Sequence, residues 1–95
     1  MTQNHDYRIQ RGRLLKILDK NFPNHVHRDT VSLTLQEMHF YIPAGVLKGH
    51  CEYLREGGYV EIDGEDSILN YTVKITKKGI DLLEENIPAD PGVQI

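Results

Sequence analysis

The sequence predicts one α+β domain in which three helices are followed by a β-hairpin and a closing C-terminal helix. Three observations carry that expectation. Apolar residues recur at helical spacing in successive segments before residue 57. The pair Gly57–Gly58 then breaks the pattern, and period-two alternation takes over around the polar turn DGEDS. A last apolar segment follows Thr76, whose side-chain oxygen suits a helix N-cap. Ninety-five residues leave room for one hydrophobic core and hardly for two, so a single domain is expected.

The first helix is read over residues 7–20, YRIQRGRLLKILDK, where Leu14, Leu15, Ile17 and Leu18 form a core-facing stripe and Arg11, Arg13, Lys16 and Lys20 surround it. Gly12 weakens its start, and Pro23 ends it near Asn21 or Phe22. A second helix begins at Asp29 or Thr30, either of which can cap it, with Val31, Leu35 and Met38 at helical spacing. The β-branched run TVSLT leaves a strand as the alternative there. Phe40, Tyr41 and Ile42 read as buried residues around a tight connection.

Pro43 suits the first turn of the third helix, residues 43–56, in which Leu47, Cys51 and Leu54 make an i, i+4, i+7 row. Residues 59–62 then read as a strand, as do residues 69–75, where Leu69, Tyr71, Val73 and Ile75 alternate with polar neighbours. The last helix carries Ile80, Leu82 and Leu83 and ends by Pro88. Residues 1–6 are expected to be a flexible lead, 7–88 the domain and 89–95 a flexible tail.

The net charge of -3 conceals an asymmetry: residues 1–55 hold eight Lys/Arg against five Asp/Glu, residues 56–95 three against nine. Nucleic-acid binding would therefore need a local basic face. No signal-peptide pattern or membrane-length apolar run is present, and the single Cys51 has no cysteine partner, so a cytoplasmic protein is expected.

With YLREGGYVEI followed by the hairpin and ITKKGIDLLEE, the chain resembles winged-helix proteins of the broad class that includes multiple-antibiotic-resistance-type and phenolic-acid-type bacterial regulators. Leu54, Gly57, Gly58, Tyr59 and Val60, then Thr76, Lys78, Gly79 and Leu83, carry the likeness. It also resembles small winged-helix proteins of Mu-like phages and prophages, through IPAGVLKGHCEYLREGGYVEI and the late ITKKGIDLLEE. The resemblance implies a non-enzymatic, DNA-binding transcription regulator with residues 43–56 as recognition helix and 63–70 as wing. It further implies double-stranded DNA as partner and a homodimer reading both halves of a symmetric operator. The first helix and residues 79–95 are candidate dimer surfaces.

On that reading Lys48 contacts a phosphate or guanine edge, and Gly45 and Gly49 permit close backbone approach; alternatively the glycines accommodate a neighbouring helix and Lys48 is solvated. Arg11, Arg13 and Arg28 supply phosphate contacts, as do Lys74 and Lys77 at the hairpin's flank; an ordinary solvated charge face is the competing account of each. Asp63, Glu65 and Asp66 depart from the pattern, since DNA-binding wings commonly present a basic residue. That keeps a second function open, a protein-interaction or phage morphogenesis and packaging accessory.

Other chemistry is weakly encoded. His25 and His27 lack further ligands at metal-site spacing. Cys51 falls on the apolar row, about 100° around the helix from His50. Glu84 and Glu85 are merely adjacent, and no phosphate-cradling glycine motif occurs. No enzyme activity, metal or cofactor is expected.

Overall fold

The computed structural model describes residues 2–64 and 66–95, with side chains from residue 6 onward. The chain forms α1 (Thr2–Lys20), β1 (Val26–His27), α2 (Arg28–Glu37), α3 (Ala44–Glu56), β2 (Val60–Asp63), β3 (Thr72–Ile75) and α4 (Lys77–Leu83). This is the predicted order of three helices, a hairpin wing and a closing helix: a winged-helix-like fold. The sequence reading lacks β1, a two-residue strand too short to show a period.

The sheet has the order β1-β3-β2, antiparallel throughout. Its register places Val60 opposite Ile75 and Ile62 opposite Val73, while Val73 also faces Val26. These pairs share the inner face, because opposite residues project to the same side. Glu61 opposite Lys74 lies on the other face. The inner face packs on Leu14, Leu15 and Leu18 of α1, Val31 and Leu35 of α2, and Leu47, Cys51 and Leu54 of α3, all buried.

Three helices end in the same way. After α3, Gly58 takes φ +83° and the Tyr59 amide donates to the Leu54 carbonyl. After α2, His39 (φ 68°) precedes Phe40, whose amide donates to Leu35. After α4, Glu85 (φ 61°) precedes Asn86, which donates to Asp81. Each is a Schellman closure, in which a left-handed residue turns the next amide back onto the last turn. Only the first uses the residue type that adopts this conformation without steric cost.

Several local expectations are corrected. The N-cap of α2 is His27, whose Nδ1 accepts from the Asp29 amide, in place of Asp29 or Thr30. Pro43 is itself the N-cap of α3, one position before the first turn. Tyr41 is 72% exposed and Leu69 59% exposed, because the connection and the wing both swing away from the core. Thr76 caps α4 as read, accepting from the Gly79 amide.

The first helix is longer than the stretch 7–20 read in the sequence. Helix α1 already begins at Thr2, and residues 90–94 fold back across it. The Gln94 amide donates to the Arg8 carbonyl, and Val93 is buried. Gly12 admits this crossing, since a Cβ there would collide with the Gln94 carbonyl oxygen. The glycine that weakens the helix in isolation is thus the seat of a tertiary contact.

Candidate binding surface

The resemblance places the binding face on the outward side of α3 and the adjoining wing. At 100° per residue, Gly45, Gly49, Glu52 and Glu56 fall within an arc of about 60°. All four are exposed. Among the described residues a Cβ on Gly45 or Gly49 would meet nothing within 4 Å, so none of them presses on either glycine.

Lys48 does not join that arc. Its side chain turns toward the hairpin and is buried, with Nζ donating to the Ser67 carbonyl at 2.8 Å and lying 4.8 Å from the centre of the Tyr71 ring. The aliphatic stem is covered while the ammonium finds a carbonyl and an aromatic face. Lys48 therefore fastens the wing to α3.

That anchor shapes the wing. Ser67 Oγ accepts from the amides of Leu69 and Asn70, a side-chain-closed turn. Ile68 and Leu69 are held outward by it, 53% and 59% exposed, beside the exposed carboxylate of Asp66. Glu65, counted above with the acidic wing, lies outside the described residues.

The other cations read from the sequence are dispersed. Arg11 stacks 3.9 Å over the Tyr53 ring, donates from Nε to His50 and from Nη1 to the Gly92 carbonyl. Arg28 pairs with Asp29 at 3.3 Å. Lys77 pairs with Asp81 at 3.1 Å, and Lys74 lies cross-strand from Glu61. Arg13 is different: with Lys16 and Lys20 it rims a half-open groove of about 330 Å³ between α1 and α2, floored by Ile17, Thr34 and Met38.

Two networks escaped sequence reasoning. Asp90 accepts from both Tyr53 and Tyr59 hydroxyls at 2.9 Å and from the Gly92 amide at 2.8 Å. Burial opposes its ionisation, but these donors and the Arg11 charge hold its carboxyl below the usual range. Burial first, and the hydrogen-bonded Asp90 carboxylate second, push the Tyr59 hydroxyl up to about 12. The segment ADPG signals a turn; nothing local announces which tyrosines it will meet.

The second network surrounds His50, which is 2% exposed. Its Nδ1 accepts from Arg11, so the neutral ring carries its proton on Nε2 and donates to Gln10 Oε1 at 2.8 Å. Burial first, and Arg11 second, lower its pKa to about 4. Cys51, buried next to it in sequence, has its thiol pushed up to about 11 by burial. That environment stabilises the protonated, poorly nucleophilic form.

His25 Nδ1 meets Thr72 Oγ1 of β3 at 3.3 Å, and His27 Nε2 meets Asn70 Oδ1, two residues before that strand, at 3.1 Å. Among the described residues no group of three or more His, Cys, Asp or Glu side chains is placed to hold a metal ion. No described helix is long and apolar enough to cross a membrane. No family model, curated protein or solved structure matches the chain.

Proposed function

We propose that this chain is a non-enzymatic winged-helix binding module that docks on a protein through the outward face of α3 and the adjoining wing. The observation that carries this reading is the placement of Lys48. With its ammonium bound beneath the wing, the outward arc offers two glycines and two glutamates, and the wing offers Ile68, Leu69 and Asp66. Small, apolar and acidic groups suit a protein surface with apolar and basic patches; a phosphate backbone is repelled by the carboxylates. The resemblance to proteins of Mu-like phages makes a phage morphogenesis or packaging component the partner class to seek.

A second reading is supported by the fold class and by Arg13, Lys16 and Lys20. These three cations follow one another along α1, and among the described residues none has a hydrogen bond or ion pair to a side chain of its own domain. A homodimeric transcription regulator, phage-associated or bacterial, would set such rows against the phosphates of duplex DNA.

A photo-crosslinking residue at Gly49 tests the two readings, with the same residue at Lys77 as control, in the cells that make the protein. The protein-docking reading expects discrete protein adducts from position 49 and none of the same mass from position 77. Adducts with nucleic acid from position 49 would overturn it. Fluorescence anisotropy against pooled duplex DNA supplies the complement: saturable binding that weakens steeply with salt supports the regulator, and no binding at low salt rejects it.

A further inference from the structure

We infer that one protein partner of this domain is a second copy of itself, joined head to tail, with wing residues 66–69 of one copy seated in the α1–α2 groove of the next. The inference rests on reading the wing as a protein-binding surface, and it adds the identity of a receptor.

Two surfaces on the page complement each other. The groove has an apolar floor of Ile17 and Met38 and a rim of Arg13, Lys16 and Lys20. Among the described residues no carboxylate lines it, and Asp19 and Glu37, which belong to the same helices, are outside the lining. The wing carries the opposite set in four residues: the Asp66 carboxylate, then the exposed aliphatic pair Ile68 and Leu69. The groove's volume of about 330 Å³ admits aliphatic side chains of that size.

The wing is also prepared for insertion. Lys48 holds the Ser67 carbonyl from below, and the Ser67 hydroxyl fixes the amides of residues 69 and 70. The apolar pair is thus displayed by a closed turn, so little conformational freedom remains to be lost on docking. Such a contact joins two different patches and is heterologous: it closes into a ring or continues as an open chain.

Sedimentation velocity of the full chain from micromolar to millimolar concentration tests this. The weight-average mass should rise from the 10.9 kDa monomer to at least twice that value at low salt, and fall back at high salt as the charges are screened. Lys16→Glu cuts the groove rim from three positive charges to a net one and sets a carboxylate against Asp66; Asp66→Lys sets an ammonium against Lys16. Each variant alone should stay monomeric while keeping the parent's circular dichroism spectrum. An equimolar mixture should associate again into heterodimers, because the unaltered wing of the Lys16→Glu chain then meets the unaltered groove of the Asp66→Lys chain.

A chain that stays monomeric at every concentration overturns the inference, as does a mixture that fails to recover. Association that survives Lys16→Glu and Asp66→Lys unchanged also overturns it, since another surface would then carry the contact. Protein adducts from position 49 alongside a strictly monomeric chain would remove the self-association and leave the docking reading standing.

Discussion

Replacing Lys48 tests the central geometric claim, that this residue fastens the wing instead of facing a partner. Its ammonium makes a charge-assisted hydrogen bond to the Ser67 carbonyl and lies over the Tyr71 ring. The bond contributes about 2 kcal/mol, and the cation–π contact about 1 kcal/mol. Two covered methylenes of the stem add about 1.5 kcal/mol. Freeing the long side chain returns about 1.5–2 kcal/mol of rotamer entropy. Lys48→Ala should therefore destabilise the domain by about 2.5–3 kcal/mol, and Lys48→Met, which keeps the stem but loses both ammonium contacts, by about 3 kcal/mol. Urea denaturation of both variants measures these values, and hydrogen exchange should quicken at the amides of Leu69 and Asn70. A change within about 0.5 kcal/mol, the range of an exposed surface position, would refute the fastening role.

Other expected outcomes follow from the same geometry. His50 is held neutral, with its folded pKa near 4 below the unfolded value of about 6.5. Its contribution is thus fully present above pH 6.5 and is lost as pH falls toward 4, a swing on the order of 3 kcal/mol. The protein and a His50→Gln variant, denatured in urea across that window, should diverge with that sign; parallel curves would exclude it. Asp90→Asn retains one acceptor oxygen for two tyrosine hydroxyls, and should cost about 1–2 kcal/mol with faster exchange at the Val93 and Gln94 amides. Unchanged exchange there would show that the carboxylate does not hold the tail. His39→Gly and Glu85→Gly relieve left-handed backbone at the ends of α2 and α4, and each should stabilise by about 0.5–1 kcal/mol. A loss of thermal stability in both would refute the closure geometry.

The elements legible in the sequence are those whose signals are local and periodic. The Leu47–Cys51–Leu54 row, the Gly57–Gly58 stop, the Thr76 cap and the alternation of Tyr71, Val73 and Ile75 each encode their own conformation within a few residues, and the fold order follows from them. What escaped depends on partners far away in the chain. Strand β1 exists because Val26 and His27 find β3. The value of Gly12 depends on a carbonyl from residue 94. The placement of Lys48 shows the limit most clearly: helical spacing locates it on the margin of α3, but the hairpin's position determines whether that margin meets solvent or the Ser67 carbonyl. Arg11 likewise reads as a surface charge until Tyr53, His50 and Gly92 are brought to it. The groove rimmed by Arg13, Lys16 and Lys20 needed the packing of α2 on α1 before its apolar floor could be seen.

The crossing of residues 90–94 over α1 bears on the order of events when the chain folds. The hairpin and the ends of the helices close over short loops, whereas the contact between Gln94 and Arg8 must gather the length of the domain. Loop closure of that size is rewarded only after the core has formed, which places the crossing on the native side of the folding barrier. Interactions made there leave the rate of folding almost untouched and slow the rate of opening. On that account residues 90–94 are expected to act as a kinetic latch, and deleting them should quicken unfolding while leaving the folding rate unchanged.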